Sequence, residues 1–242
     1  MNSQRLQPIT NSDLLILVPA YNESLNILKV LHELKAHGFK SLVINDGSTD
    51  DTSEIAKGLN IPVLDLPYNL GVGGALRAGF KFAVRNNFEA IIQIDADGQH
   101  PVDHIVDLIS AANESNAHLI LGSRFLGQTS SMNVGITRRL AMKVLARSAS
   151  RATGVKITDS TSGFRLIRSP LLEKFSMNFA SNYLGDTYGA LISAGRSGYR
   201  VREIPAPISD RLNGFSSSSS LKSMGQTLKV LTVAFLKLHT RI

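Results

Sequence analysis

Short apolar runs alternate with amphipathic stretches through the first half of the chain. Leu14-Leu15-Ile16-Leu17-Val18, Ser41-Leu42-Val43-Ile44, Ile61-Pro62-Val63-Leu64 and Ile91-Ile92-Gln93-Ile94 are brief, rich in branched residues and bounded by turn signals. That is the pattern of buried strands. After the first run, Leu25, Leu28, Leu31 and Leu34 keep helical spacing over about 23–37, with Asn22 as the expected N-cap and Gly38 as the stop. Thr49 or Asp50 can cap a second helix, the glycine-rich stretch 69–79 opens a third, and Pro101 stands at a favoured first helical position for a fourth. Pro62 cannot complete a ladder, which puts the third strand towards an edge. The resulting β-α-β-α-β-α-β-α order predicts a parallel, doubly wound α/β sheet.

Beyond residue 118 the alternation loosens. His118-Leu119-Ile120-Leu121 reads as a strand leading into Gly122-Ser123-Arg124, and a polar loop (126–135) follows. A basic helix over about 136–153 carries Arg138, Arg139, Lys143, Arg147 and Arg151. The polar stretch 158–163 then enters a strand, a helix is expected at about 182–195, and Tyr199 to Pro205 forms a last strand. The Ser/Asn/Gly-rich segment 210–217 reads as a mobile loop. The final segment, 221–242, is an amphipathic helix with Lys229, Lys237 and Arg241 in a basic stripe. It suits an anionic membrane surface, packing on the domain, or a homo-oligomer contact. We therefore expect a flexible N-terminus (1–12), one domain (13–220) and the helical appendage (221–242).

Composition narrows the partners. A chain of 242 residues, 43% hydrophobic and 19% charged, can bury a sizeable core. No apolar run reaches the roughly 18 residues of a spanning helix, and the opening residues lack the apolar stretch of a signal peptide. The expectation is a cytoplasmic protein, peripheral at the cytoplasmic membrane face. With no cysteine, disulfides and thiolate metal sites are excluded. The formal charge of +7 favours an anionic partner. With 6% aromatic residues and no tryptophan, base stacking along a nucleic acid strand is disfavoured, and no nucleic-acid partner is expected.

The candidate chemistry centres on Asp95-Ala96-Asp97-Gly98-Gln99-His100, at the end of the fourth strand. Ligands in open α/β sheets bind beyond the carboxyl ends of strands. Side chains at i and i+2 of an extended segment share a face, so both carboxylates can aim at one hard cation such as Mg2+ or Mn2+. Taken alone, the same residues also read as a helix cap and an Asp-Gly turn. Three other strand ends carry polar residues: Glu23, Asp46 and Arg124. Together they suit a nucleoside diphosphate, with carboxylates for base or ribose, the aspartate pair for a metal, and arginine for phosphate. The glycine stretch 69–79 resembles a dinucleotide fingerprint but is not one, because it follows the third strand instead of the first; it reads as a phosphate or nucleotide contact or as tight packing of the helix.

Val18-Pro19-Ala20-Tyr21-Asn22-Glu23, Asn45-Asp46-Gly47-Ser48-Thr49-Asp50, the 69–79 stretch and Asp95-Ala96-Asp97-Gly98-Gln99-His100 resemble family 2 glycosyltransferases of the GT-A fold. Gly122-Ser123-Arg124, Thr161-Ser162-Gly163-Phe164-Arg165 and Arg211-x-x-Gly-x-Ser bring the chain close to the dolichyl- and polyprenyl-phosphate sugar synthases. The resemblance implies a Rossmann-like, mostly parallel sheet flanked by helices. It implies that Pro19, Ala20, Tyr21, Glu23, Asp46, Ser48 and Gly74, with Asp95, Ala96 and Asp97, bind a nucleotide sugar. It further implies that Asp97 and Gln99, with Asp95 alongside, hold Mg2+ or Mn2+, and that Arg124, Arg165 and Arg211 embrace the diphosphate or an acceptor phosphate. The activity so implied is inverting hexosyl transfer from GDP-mannose or a UDP-hexose to a polyprenyl or dolichyl phosphate. The alternative is transfer to a sugar hydroxyl in a glycan. A hydroxyl acceptor needs a general base. Asp186 is the candidate, against a reading as the N-cap of 187–195, and Gly189 stands where hydroxyl-acceptor relatives suggest a second acid.

Overall fold

The computed structural model describes residues 5–126, 136–179 and 185–207. Arg211, the 210–217 loop, the 221–242 helix and almost all of the 126–135 loop lie outside the described residues.

Seven strands form one sheet: β1 (Leu14–Ala20), β2 (Ser41–Asn45), β3 (Val63–Asp65), β4 (Ala90–Gln93), β5 (Leu119–Ser123), β6 (Arg165–Arg168) and β7 (Val201–Pro205). Their spatial order is β3-β2-β1-β4-β6-β5-β7. β1, β2, β3 and β4 run parallel, as do β5 and β7, while β6 lies antiparallel between β4 and β5. The fold is thus α/β and mostly parallel, as expected, and β3 occupies the edge that Pro62 pointed to.

Helices α1 (Ile27–Ala36), α2 (Thr52–Gly58), α3 (Val72–Arg85), α4 (Ile105–Ser115), α5 (Ile136–Thr153), α6 (Leu171–Asn178) and α7 (Ala190–Arg196) cover the two faces. Leu14, Ile16 and Val18 join Ile27, Leu31, Leu34, Ile105 and Leu108 in one core layer. Leu15 and Leu17 join Leu76, Phe80, Phe175 and Leu191 in the other. Burial on both faces is why these strands are continuous apolar runs, without the alternation of a half-exposed sheet.

Several local expectations are corrected. Helix α1 begins at Ile27, four residues later than expected, and Asn22 does not cap it. Asn22 instead adopts a left-handed φ of 55°, which asparagine tolerates because its short amide bonds locally. The expected 182–195 helix resolves into a π-helical turn, Gly185–Gly189, followed by α7. A π-turn shifts the hydrogen-bond register, which the apolar spacing does not reveal. Helix α6 was not anticipated; at eight residues it is too short to show a period. The segment before β1 is not loose where it is described. The Leu6 and Ile9 N–H groups donate to Asn116 Oδ1 (2.6 Å) and Asn113 Oδ1 (2.8 Å), and the Ile9 side chain is buried. Among the described residues no helix is long and apolar enough to cross a membrane.

The antiparallel turn of β6 matters most for chemistry. It brings the start of β6, and the loop before it, to the edge where β1, β2, β4, β5 and β7 end.

Candidate active site

On one bank of that edge, the loops after β1 and β2 are stitched together. The Asn22 N–H donates to Ser48 Oγ (3.0 Å), and Asn22 Oδ1 accepts the Thr49 N–H (2.8 Å). The Glu23 and Ser24 amides donate to Thr52 Oγ1 (2.9 Å) and Asp50 Oδ2 (3.0 Å). The left-handed Asn22 makes these contacts possible and leaves Tyr21 half exposed on the cleft-side loop. Ser48 itself is anchored through its N–H to Asn45 Oδ1 (3.0 Å).

Asp46 is buried and accepts the Leu70 N–H at Oδ1 (2.7 Å), which draws the loop before α3 over the end of β2. Burial pushes its carboxyl up, against the Leu70 and Gly71 amides that favour the anion. Gly47, at φ 71°, is required there: a Cβ would lie 2.7 Å from the Tyr68 carbonyl carbon. Gly74 has a packing role, since a Cβ would meet that of Leu70 at 2.5 Å. Beside this bank, Ser48, Thr49, Asp50, Asp51, Glu54 and Asp65 line a polar cleft of about 420 Å³. The Lys57 ammonium, with Asn45 and Ser53, holds Asp65 down at about 2.

Asp95 and Asp97 follow β4 at the centre, both partly exposed and separated by the buried Ala96. Asp97 Oδ1 accepts the Gln99 N–H (3.0 Å), closing a turn through Gly98 at φ 75°. The sheet ends at Gln93, so the shared-face argument for an extended segment stops short of the aspartates; the turn, not strand pleating, sets their relation. His100 is buried, stacks on Phe164 with centroids 5.2 Å apart, and brings Nδ1 to 3.5 Å from Asp95 Oδ2. Among the described residues no three His, Cys, Asp or Glu side chains converge as a metal cage. The donor set nevertheless fits Mg2+ or Mn2+: two hard carboxylates at an open edge leave coordination positions for phosphate oxygens and water.

The opposite bank is cationic. Arg124 grips Asp159 as a fork, Nε to Oδ2 at 2.6 Å and Nη2 to Oδ1 at 2.8 Å, and Nη2 also donates to Thr161 Oγ1 (2.9 Å). The Asp159 side chain is wholly buried, whereas that of Arg124 keeps 27% exposure and can present charge to the cleft. The neighbouring Asp159 carboxylate outweighs burial and raises the Arg124 pKa. Glu203 on β7 anchors this loop by accepting the Thr158 and Asp159 amides at 2.8 and 2.7 Å.

Arg165 stands differently from expectation. Its guanidinium is buried, donating from Nη1 to the Asp186 carbonyl (2.9 Å) and from Nη2 to the Ser162 carbonyl. In this arrangement its guanidinium is enclosed and engaged by two carbonyls, where the expectation was a phosphate. Asp186 is buried in the π-turn, and burial pushes its carboxyl up against the pull of Arg165. The charge of Asp95 is felt at Arg124, Arg165 and Asp186, so these groups share one neighbourhood. His100 belongs to the motif read from the sequence, but its contact with Asp95 was not foreseen, and Asp159, Glu203 and Gln93 carried no assigned role; for Asp159 the hint was the polar stretch 158–163.

Comparison with known proteins shows the family. The model of the family described as "Glycosyl transferase family 2" matches residues 15–176. A polyprenol monophosphomannose synthase of Mycolicibacterium smegmatis is 29% identical over 220 residues, covering 85% of this chain and 80% of the relative. A UDP-N-acetylglucosamine–dolichyl-phosphate N-acetylglucosaminyltransferase of Methanococcus voltae is 28% identical over 208 residues, covering 78% and 83%. Among solved structures, glucosyl-3-phosphoglycerate synthase of Mycobacterium tuberculosis in complex with Mn2+, UDP and glucosyl-3-phosphoglycerate superposes with a TM-score of 0.65. It is 20% identical, covering 93% of this chain and 78% of that one, and shows the shared GT-A fold. The chain belongs to glycosyl transferase family 2.

Proposed function

We propose that the protein transfers a hexosyl unit from a nucleotide-diphosphate sugar, GDP-mannose or a UDP-hexose, to a polyprenyl or dolichyl phosphate with inversion at the anomeric carbon. The observation that carries this reading is the partly exposed Asp95 and Asp97 between a stitched, hydrogen-bonded bank and an arginine bank at one sheet edge. The names of the two relatives support the lipid-phosphate acceptor.

In this reading Tyr21, Asp46 and Ser48 hold the nucleoside. Asp97 and Gln99, with Asp95 alongside, hold Mg2+ or Mn2+, which when bound supplies charge neutralisation for the departing diphosphate. Arg124, kept in place by Asp159, adds fixed positive charge where negative charge develops. The bond from the anomeric carbon to the diphosphate breaks with its electron pair on the diphosphate oxygen. An acceptor phosphate oxygen forms the new bond from the opposite face. That oxygen is already anionic at neutral pH, because a phosphate monoester loses its second proton near pH 6, so no base is required. A lipid acceptor places the protein at the membrane surface. The exposed Lys143, Arg147 and Arg151 of α5 suit anionic headgroups there.

The test is incubation with labelled GDP-mannose, UDP-glucose or UDP-N-acetylglucosamine and undecaprenyl or dolichyl phosphate. A labelled, organic-extractable lipid phosphate sugar is expected; transfer to saccharides alone would overturn the acceptor. One observation favours the second reading, a sugar hydroxyl acceptor: the raised pKa of Asp186, near Asp95, is what a general base needs.

A further inference from the structure

We propose that Gly163 and Arg165 are positioning residues that hold the Asp95 carboxylate and the Asp186 turn in one fixed relation, an inference that rests on the transferase reading above. Gly163 is not in a left-handed conformation, so backbone freedom does not explain it. The Asp95 carboxylate does. A Cβ at residue 163 would sit 3.1 and 3.2 Å from its two oxygens and 3.3 Å from Gln93 Nε2. The Asp95 carboxylate therefore rests against the bare Cα face of residue 163. His100 closes a second side at 3.5 Å, itself held flat on Phe164. What remains of the carboxylate, 40% exposed, faces the cleft.

Arg165 ties this arrangement to the other bank. One end of its guanidinium holds the carbonyl of Ser162, the residue before Gly163, and the other holds the carbonyl of Asp186. Its place in the sheet is improbable on stability grounds alone. In register across the strands, Leu17, Gln93, Arg165 and Leu121 form one row. Two polar side chains thus sit in the middle of an apolar row, where an unpaired charge is costly. The row also leaves Gln93 Oε1 and Arg165 Nε without hydrogen-bond partners among the described residues, as is His100 Nδ1. Buried polar groups are ordinarily satisfied, and Gln93 and Arg165 lie side by side in this row, while His100 Nδ1 faces Asp95 Oδ2 at 3.5 Å.

Precision here has a direct consequence. Partners that orient a metal-binding carboxylate typically change metal affinity or activity by about 10–100-fold when altered. A Cβ at residue 163 meets only the side-chain atoms of Asp95 and Gln93 among its nearest neighbours, so Gly163→Ala displaces the carboxylate without striking backbone.

The experiment compares wild type, Gly163→Ala and Arg165→Lys by thermal melting, by calorimetry of UDP and GDP with and without Mn2+, and by steady-state transfer. Gly163→Ala is expected to melt as wild type without ligand and to bind the Mn2+–nucleotide about tenfold more weakly. Arg165→Lys keeps the charge and loses the two-carbonyl grip. It is expected to lower kcat roughly tenfold with little change in donor KM. A Gly163→Ala protein with wild-type Mn2+–nucleotide affinity overturns the proposal, and so does one that melts far below wild type, because the glycine is then structural. An Arg165→Lys effect confined to donor KM overturns the role of Arg165. Wild-type protein that binds neither nucleotide with Mn2+ overturns the transferase reading itself, so the two failures are told apart.

Discussion

The two banks of the cleft are held by different forces. On the β1/β2 side, Ser48, Asn22, Thr52 and Asp50 bond to main-chain amides of the facing loop, mostly partly exposed. Bonds of that kind each contribute about 0.5–1.5 kcal/mol. On the β5/β6 side the groups are charged and at least partly buried: Arg124 on the enclosed Asp159, Glu203 on two amides, and Arg165 fully enclosed. The first bank suits a nucleoside, recognised by shape and hydrogen bonds. The second keeps positive potential facing phosphate, and desolvation makes each of its partnerships hard to break. Binding on one side and stability on the other should therefore respond separately to mutation.

The centre between the banks should show the largest effect. Asp97→Asn is expected to reduce transfer roughly a thousandfold, since a metal's charge stabilisation is worth several kcal/mol at about 1.4 kcal/mol per tenfold. It should also abolish Mn2+-dependent nucleotide binding in calorimetry. Undiminished, metal-dependent binding would remove Asp97 from the metal site. Next, Asp159→Asn should lower unfolding free energy by about 3 kcal/mol, because Arg124 loses its buried partner. Ser48→Ala on the β1/β2 bank, which removes a bond between neutral groups, should cost only about 1 kcal/mol. Equal losses in urea titrations would erase the contrast between the banks.

A smaller effect tests the charged half away from the cleft. His118 is buried beside Arg200 and Arg168, and burial first, then those two charges, lowers its pKa to about 4. Its unfolded value is about 6.5. Between these values the unfolded chain binds more protons, so the His118 contribution is fully present above about pH 6.5 and is lost as pH falls towards 4. His118→Asn should flatten the stability profile across that window; an unchanged slope would assign the acid sensitivity elsewhere. The smallest effect is expected from Asp186→Asn. With a phosphate acceptor, kcat should fall less than tenfold, whereas a hydroxyl acceptor that uses this base would lose roughly a hundredfold or more.

Much of the first half was legible because its signals are local. Buried parallel strands show as short apolar runs, and turn residues mark where each ends, so β1, β2 and β4 and their polar ends Asp46, Asp95 and Asp97 could be read in order. Pro62 even located the edge strand, since a missing N–H is a property of one residue. The start of α1 misled, because Asn22 has the composition of a cap and the conformation of a left-handed loop. Which it adopts depends on Ser48 and Thr49, which lie on the neighbouring strand's loop.

The second half depended on contacts distant in sequence. Nothing in Arg165-Leu166-Ile167-Arg168 says that the strand runs antiparallel between β4 and β5, because strand pairing is chosen by the whole sheet. That choice turned Arg165 from an expected phosphate ligand into a buried strut and brought Asp159 under Arg124. Residue types, spacing and charge by themselves determined the layered α/β architecture and put two carboxylates at the end of the fourth strand, since periodicity and turn chemistry are written residue by residue, while the family was legible through the resemblance of its spaced motifs. Which side chains face the cleft and which hold them from below was decided only by the tertiary structure, because burial and charge pairing belong to neighbours in space.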